Sequence, residues 1–519
     1  MPSNSHVHYN FLISYKSLGQ YLHDYWYKHE VYTYVLLDSP ERKEEIEKAF
    51  PAMSEKYKTD EALKNKIWGV SLTPLADIHL KPQVGYEAEI KGNRTAMIAL
   101  IFAAIAILAI AWINYINLTV VRSMERAKEV GVRRVIGAFR KQLVSQFLFE
   151  ALVMNLVALV LAVGLIELIL PYFNQLVSRT VTFSVWLTGY WWLLLLIVFV
   201  GGIFLSGYYP ALALLNRKPI TLLKGKFLNS KSGEGTRKVL VVVQYTASMI
   251  LLCGTLIVFA QLNFMRNQSL GVKTDQTLVV KFPGRTEGMN TKLEAMKKAI
   301  ARLPLVDKVT FSGAVPGEEV ATFLSNRRKS DALKQNRLYE MLVCDPDYID
   351  AYGLQLVAGR GFSEDYGDDV NKLVVNESAV RNLGIASNEE ALGEEIEVEC
   401  TDAPMQIIGV VKDYHQQALN KNYTPIMLIH KDKIGWLPQR YISIVMKSGD
   451  PKELVSQVEE IWHRYFEDSS YDFFFLDQFF DHQYRQDEVF GVMIGCFTGL
   501  AIFISCLGLW VLVMFSCTT

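Results

Sequence analysis

Residues Val121–Lys141 read VRSMERAKEVGVRRVIGAFRK, and they lie between two long apolar runs, Ala96–Val121 and Leu143–Leu170. Seven of them are Lys or Arg (Arg122, Arg126, Lys128, Arg133, Arg134, Arg140, Lys141), against two acids, Glu125 and Glu129. The positive-inside rule places a basic loop between two membrane-length runs in the cytoplasm. On charge alone nothing more is needed. The order of the residues adds to this. Met124, Ala127 and Val130 recur at helical spacing with charge on the other face, so the segment reads as an amphipathic helix running on from the membrane. Gly131 and Gly137 are expected to interrupt it, each weakening a helix interior by roughly 1 kcal/mol relative to alanine. Short helices broken at the glycines, with Arg and Glu exposed near the membrane surface, suit a groove on a cytoplasmic partner.

Outward from this stretch, apolar residues pool into five runs and charges into the segments between them. That is the pattern of an integral membrane protein with soluble parts. The predicted spans are 96–121, 142–170, 191–215, 239–262 and 489–515. The second holds Glu150 and Glu167, both near its ends, where they reach an interface. Residues 171–190 carry one basic residue, Arg179, and are expected outside as a short outer loop. Trp191 and Trp192 mark the outer end of the third span, Gly201, Gly202 and Gly207 permit close packing, and Pro210 is a candidate kink. Residues 216–238 again carry seven basic residues and are expected in the cytoplasm, with NSKSGEG as a flexible linker. No Gly-Lys-Ser/Thr follows its glycines, so it is not a Walker A loop.

Residues 263–485 are long enough for a domain with its own core. Strands are expected at Leu278–Phe282, Lys308–Ser312, Tyr339–Cys344, Lys372–Val375, Gln406–Val411, Pro425–His430 and Tyr441–Lys447. Helices are expected at Thr291–Leu303, Glu377–Leu383 and Pro451–Phe466. The reading is a membrane α-helical bundle of five predicted spans plus an α+β extracytoplasmic domain. Gly353, Gly359 and Gly361 read as turn glycines, and His415 and His430 as isolated surface or interface side chains. No nucleophile–base pair and no metal-ligand spacing is present. Net charge is −1, which gives no footprint for nucleic acid. Cys253, Cys496, Cys506 and Cys517 lie in or beside apolar runs, while a pairing of Cys344 with Cys400 is left open. Met1–Tyr34 shows no basic region followed by an apolar core, the pattern of a signal peptide.

The run ERAKEVGVRRVIGA (125–138) resembles the cytoplasmic segment of FtsX/MacB-type ABC transporter permeases, of the form R-x-K-E-[IV]-G-[IV]-R-[KR]-x-x-G-A. In that family it forms the coupling helix that contacts a separate ATPase subunit. The resemblance implies that Glu125, Arg126, Lys128, Glu129, Gly131, Arg133, Arg134 and Gly137 meet that ATPase. Glu129, Arg133 and Arg134 have no intramembrane partner in this reading. ATP and Mg would sit on the partner, with no cofactor in this chain and no enzyme activity of its own. DPDYIDAYGLQLVAGRGFSED (345–365), VVNESAVRNLG (374–384) and IIGVVKDYHQQAL (407–419) resemble the MacB-like periplasmic domain. The family further implies a homodimer in the bacterial inner membrane, with a periplasmic adaptor in some members. Export and non-transporting regulation of cell-wall hydrolases share these features. A ligand-sensing receptor is the third reading, and it would need a cytoplasmic output domain.

Finally, VYTYVLLDSPERKEEIEKAF (31–50) aligns with YISIVMKSGDPKELVSQVEEIW (441–462) as strand, proline turn and helix. IWGVSL (67–72) then matches YDFFFL (471–476) as a second strand. A repeat of so long a period means two halves of one architecture. Residues 1–95 are on this reading the last part of a first extracytoplasmic domain, and the chain is expected to be a piece of a longer permease.

Overall fold

The computed structural model describes residues 13–14, 16–17, 32–58, 68–80, 92–184, 189–208, 211–212, 215, 231–283, 289–320, 322–331, 337–399, 401–417, 419, 421–435 and 437–518. Two compact units result: Met1–Asn93 with Gln268–Tyr484, and Arg94–Asn267 with Arg485–Thr519.

In the amino-terminal part, helix α1 spans Arg42–Tyr57. It accepts the Leu72 backbone N–H on Glu47 Oε1 at 2.9 Å. A 3-10 turn, Leu75–Leu80, follows. The two strands expected around it are not formed. Residues 32–37 and 68–72 carry no ladder, and Tyr32, Tyr34, Val35 and Leu36 are exposed. A strand is stabilised by cross-strand pairs, and all the strands of the described sheet lie after residue 276.

The second unit is helical. Helices α2 (Arg94–Glu125), α3 (Ala127–Val135), α4 (Arg140–Val177), α5 (Trp191–Ile203) and α6 (Lys231–Asn267) precede the sheet, and the last helix of the chain completes the unit. Among the described residues, five helices are long and apolar enough to cross a membrane, over Arg94–Thr119, Arg140–Val177, Trp191–Tyr208, Lys238–Asn267 and Leu476–Trp510. Three bounds differ from expectation. Pro171 does not end α4, which runs two turns further to Val177 and stops at Ser178 in the left-handed conformation, φ 52°. A proline removes one backbone hydrogen bond, and a long apolar helix bends to absorb it. Second, Lys231–Gly235, expected as linker, already belongs to α6. Third, α5 passes into a π-helical turn, Phe204–Tyr208. There Gly207 lets α4 approach, since a Cβ on it would stand 3.0 Å from the Ala151 methyl. Gly202 faces Asn155 and Trp112, whereas Gly201 has nothing near it. Pro210 lies outside the described residues.

The α+β unit holds one sheet of eleven described strands. They are β1 Thr277–Lys281, β2 Val306–Ser312, β3 Phe323–Arg328, β4 Arg337–Cys344, β5 Leu356–Gly359, β6 Lys372–Asn376, β7 Glu395–Glu397, β8 Met405–Val411, β9 Ile426–His430, β10 Tyr441–Met446 and β11 Phe473–Phe475. Helices α7 (Met289–Ile300), α8 (Tyr348–Ala351), α9 (Glu377–Asn382) and α10 (Pro451–Tyr465) are interleaved, and α11, Leu476–Thr518, ends the chain. The seven expected strands and three expected helices are present, with ends moved by a few residues. Strands β3, β5 and β7 were not foreseen.

Strands β11, β1, β10 and β2 form an antiparallel sheet. One face is covered by α7 and α10, burying Leu278, Val280, Phe311, Ile442 and Ile444 against Met296, Val458 and Trp462. Asp450 caps α10 by accepting from Lys452 N at 2.9 Å, and Pro451 occupies its first turn. Of the remaining described strands, β5 pairs only with β8, and the others close a ring in the order β4, β3, β7, β8, β6, β9 and back to β4. Period-2 alternation sorts its side chains into two cores. Tyr339, Met341 and Val343 of β4 point into the ring, whereas Leu342 and Cys344 point to the other core. Strands β6 and β9 repeat the pattern with Leu373 and Val375, Met427 and Ile429 inside the ring.

Candidate functional site

The segment between α2 and α4 is a helix with a turn at each end. Arg126 breaks α2 from α3, and the second break comes at Ile136–Gly137. Gly137 adopts φ +106°, a conformation favoured by glycine, and Ala138 N donates back to Arg133 O at 2.9 Å. Phe139 N then donates to Gln142 Oε1 at 3.0 Å, starting α4. Gly131 was expected to interrupt the helix and does not. It lies buried inside α3, where the loss of roughly 1 kcal/mol in propensity is outweighed by packing. The packing is a small apolar core: Ala127 and Val130 meet Leu143, Ala211 and Leu215, with Ala138, Val144 and Phe147 around them. The helical spacing of Ala127 and Val130 read from the sequence is the spacing of this buried stripe.

The charges differ from expectation. Glu129 accepts from Arg133 at 2.7 Å and lies 3.5 Å from Arg126. Arg126 Nη1 reaches Glu150 Oε2 on α4 at 2.8 Å, and this hydrogen bond is the main cause of its raised pKa. Gln146 joins the cluster, accepting from Arg133 Nη1 at 2.9 Å and donating to Glu150 at 3.2 Å. Arg134 Nη1 donates to the Leu215 carbonyl at 3.1 Å. Glu129, Arg133 and Arg134 therefore each have a partner inside the chain, and Glu150 has a definite one. Glu125 closes α2 and Lys128 lies in the first turn of α3.

Besides the exposed charges Glu129, Arg133, Arg140 and Lys141, the segment presents apolar side chains outward. Val135, Ile136 and Phe139 are 65%, 80% and 73% exposed, with Val132 beside them at 45%. Sequence reasoning missed these, along with Gln146, Ala211 and Leu215; Glu150 was named, but only as an acid reaching an interface. The available signal was that Val132, Val135, Ile136 and Phe139 fall off the Ala127–Val130 stripe and so leave the buried face.

In the other unit, the polar positions named from sequence are structural. Gly353 takes φ of +62° at a turn, whereas Gly359, with φ of +69°, ends strand β5 hard against β8, where a Cβ would strike the Ile408 carbonyl. His430 is buried rather than at the surface, packed edge-on to Phe362 with its pKa lowered by burial, while His415 lies against Tyr423. Cys344 is a buried free thiol, and Cys400 lies outside the described residues.

Residues 101–219 match the FtsX-like permease C-terminal family model, and residues 246–461 match the MacB-like periplasmic core domain. A macrolide export ATP-binding/permease protein MacB of Campylobacter jejuni subsp. jejuni serotype O:23/36 (strain 81-176) is 33% identical over 133 residues, 25% of this chain and 20% of the relative. One of Rhodopseudomonas palustris (strain HaA2) is 36% identical over 97 residues, 17% of this chain and 15% of the relative. The chain thus spans about a fifth of the length of the curated relatives it matches. Among solved structures, the periplasmic region of MacB from Actinobacillus actinomycetemcomitans is 17% identical, covering 41% of this chain and 94% of that one, with a TM-score of 0.29. A domain of a putative permease protein from Porphyromonas gingivalis is 19% identical over 38% of this chain and 89% of its own, with a TM-score of 0.28. The chain thus joins an FtsX-like permease region, around its first apolar helices, to a MacB-like periplasmic core, the combination expected of an FtsX/MacB-type permease.

Proposed function

We propose that this chain is the part of an inner-membrane permease that receives work from a cytoplasmic ATPase and passes it outward, for efflux or for lipoprotein or peptide export. The observation that carries the reading is the geometry of residues 126–139: a short helix seated on its own apolar core, with Arg126, Glu129, Arg133 and Arg134 partnered inside the chain and Val135, Ile136 and Phe139 exposed at its tip. ATP and Mg belong on the ATPase. The basic segments 122–141 and 216–238 face the cytoplasm in this reading and 263–485 faces outward. The working unit is a homodimer, with a periplasmic adaptor as a further partner. Closure of the ATPase would move α3, and with it α2 and α4, as a rigid-body change between two states.

Because Glu129 and Arg133 pair with each other, charge exchange tests their part in docking directly. Glu129→Arg alone removes both the internal pair and any external one. Glu129→Arg with Arg133→Glu restores the internal pair but inverts the surface seen by a partner. If these charges meet the ATPase, the exchanged protein stays in the membrane yet fails to stimulate or respond to ATP hydrolysis. Full activity of the exchanged protein would confine Glu129 and Arg133 to holding the segment together.

A further inference from the structure

Helices α6 and α11 are joined by a ladder of hydroxyl groups in one antiparallel register. Ser248 Oγ lies 2.8 Å from Ser505 Oγ, and Thr255 Oγ1 lies 2.6 Å from Thr498 Oγ1. All four residues are buried. Each rung is seven residues further along α6 and seven back along α11. The next step of the same count pairs Leu262 with Gly491, where a Cβ on the glycine would strike Leu262 Cδ1. Arg266 and Glu488 follow with an ion pair. Thr498 Oγ1 also reaches the Leu251 carbonyl at 3.3 Å, and Asn114 of α2 donates to the Ile504 carbonyl at 2.6 Å. A heptad period is the seam of a helix pair, and here its rungs are polar where the surroundings are apolar.

We propose that this ladder fixes α6 and α11 in a single register, so that the two helices act as one strut and do not slide past each other. The physical reason lies in what sliding would do. Moving α11 by four residues, about 6 Å, sets Thr255 opposite Ile502 and Ser248 opposite Leu509, leaving four hydroxyls inside an apolar seam without their cross-helix partners. Both helices connect through the chain to the α+β unit, α6 into residue 268 and α11 out of residue 475. Resting on the proposed function, work entering at the cytoplasmic side would therefore reach the outer unit as motion of the pair.

Oxidative cross-linking of the full chain in membranes tests this, with Cys253, Cys496, Cys506 and Cys517 first replaced by alanine. The in-register pair Thr255→Cys with Thr498→Cys is expected to form a disulfide, and the displaced pair Thr255→Cys with Ile502→Cys to give only background. Adding Ser248→Ala, Thr498→Val and Ser505→Ala to the displaced pair is expected to raise its product well above background. In membranes that also hold the cognate ATPase, the in-register yield is expected to be the same with and without ATP and Mg. A displaced product as abundant as the in-register one, no gain on removing the hydroxyls, or a shift to the displaced product on adding ATP would overturn the strut. The nucleotide-free arms do not involve the ATPase, so they decide the register even if the coupling reading fails.

Discussion

The α+β unit and the segment after α2 use apolar and charged side chains in opposite ways. In the α+β unit most apolar residues of β1, β4, β9 and β10 are buried, and ion pairs such as Arg328–Glu394 and Lys329–Glu395 are part-buried or exposed. In the segment, Arg126, Glu129, Arg133 and Glu150 satisfy one another while Val135, Ile136 and Phe139 stand in the open. A surface that keeps its charges for itself and shows its apolar atoms is poorly suited to water and well suited to a partner. The difference teaches where substitutions should be felt. Apolar losses in the first region should lower stability, and apolar losses in the second should lower association.

The largest effect is expected at Trp462. It is almost fully buried, packs against Phe282, Phe466 and Tyr471, and donates from Nε1 to Ser469 O at 3.3 Å. Trp462→Ala should lower the stability of the α+β unit by about 3–5 kcal/mol. Urea unfolding of an isolated 266–485 fragment, expected to be a single cooperative transition, reads this out. A loss below about 1 kcal/mol would mean that this core is not what holds the unit together.

Next comes a buried charge in the same unit. Glu340 of β4 accepts from Thr424 Oγ1 at 2.9 Å, and its pKa is pushed up to about 7, first by burial and then by nearby Glu319. The folded state resists its ionisation, whereas in the unfolded chain the group ionises near its ordinary value of 4.5. Its contribution is therefore most favourable at acidic pH and is lost as pH rises from about 4.5 to about 7. Glu340→Gln should flatten that decline, gaining up to about 3 kcal/mol over wild type above pH 7. Parallel pH profiles of the two proteins would contradict this.

The smallest effect belongs to the ion pair between Arg126 and Glu150, both of which are partly exposed. Glu150→Gln should change the stability of the membrane unit by less than about 1 kcal/mol. A larger loss in thermal unfolding in detergent would show that the charge cluster, rather than the small apolar core, seats α3.

How much of this could be read from the sequence depended on whether the deciding interaction was local. β4, β8, β9 and β10 are predominantly apolar, so composition marks them even with Glu340, Gln406 and Ser443 among their residues. β3, FLSNRR, looks polar because Asn326 is satisfied only by tertiary contacts: its Oδ1 accepts from Glu399 N at 3.3 Å, and its amide lies beside Met341 and Met427. β7, EIE, is three residues whose acids pair with cations of β3 and the residue after it, Glu397 with Arg327 and Glu395 with Lys329. Neither could be found without its neighbours. The repeat gives the converse. Residues 441–446 and 473–475 pair in the sheet, whereas 32–37 and 68–72, with the same pattern, find no ladder among the described residues. Only the helix of that pattern, held by local hydrogen bonds, forms in both. At the candidate site the basic charge and the Ala127–Val130 stripe were legible. The internal pairing with Glu150, 24 residues from Arg126, was not.

The most direct test of the coupling reading is capture of the cognate ATPase by the permease carrying Ile136→Asp and Phe139→Asp. Neither side chain belongs to the small core under α3 or to the charge cluster. We predict that the variant inserts in the membrane and that its α+β unit melts as in wild type. We also predict that its affinity for the ATPase falls by about 2 kcal/mol or more, roughly 30-fold. Unchanged capture of the ATPase by a correctly inserted double variant would contradict a docking role for the segment.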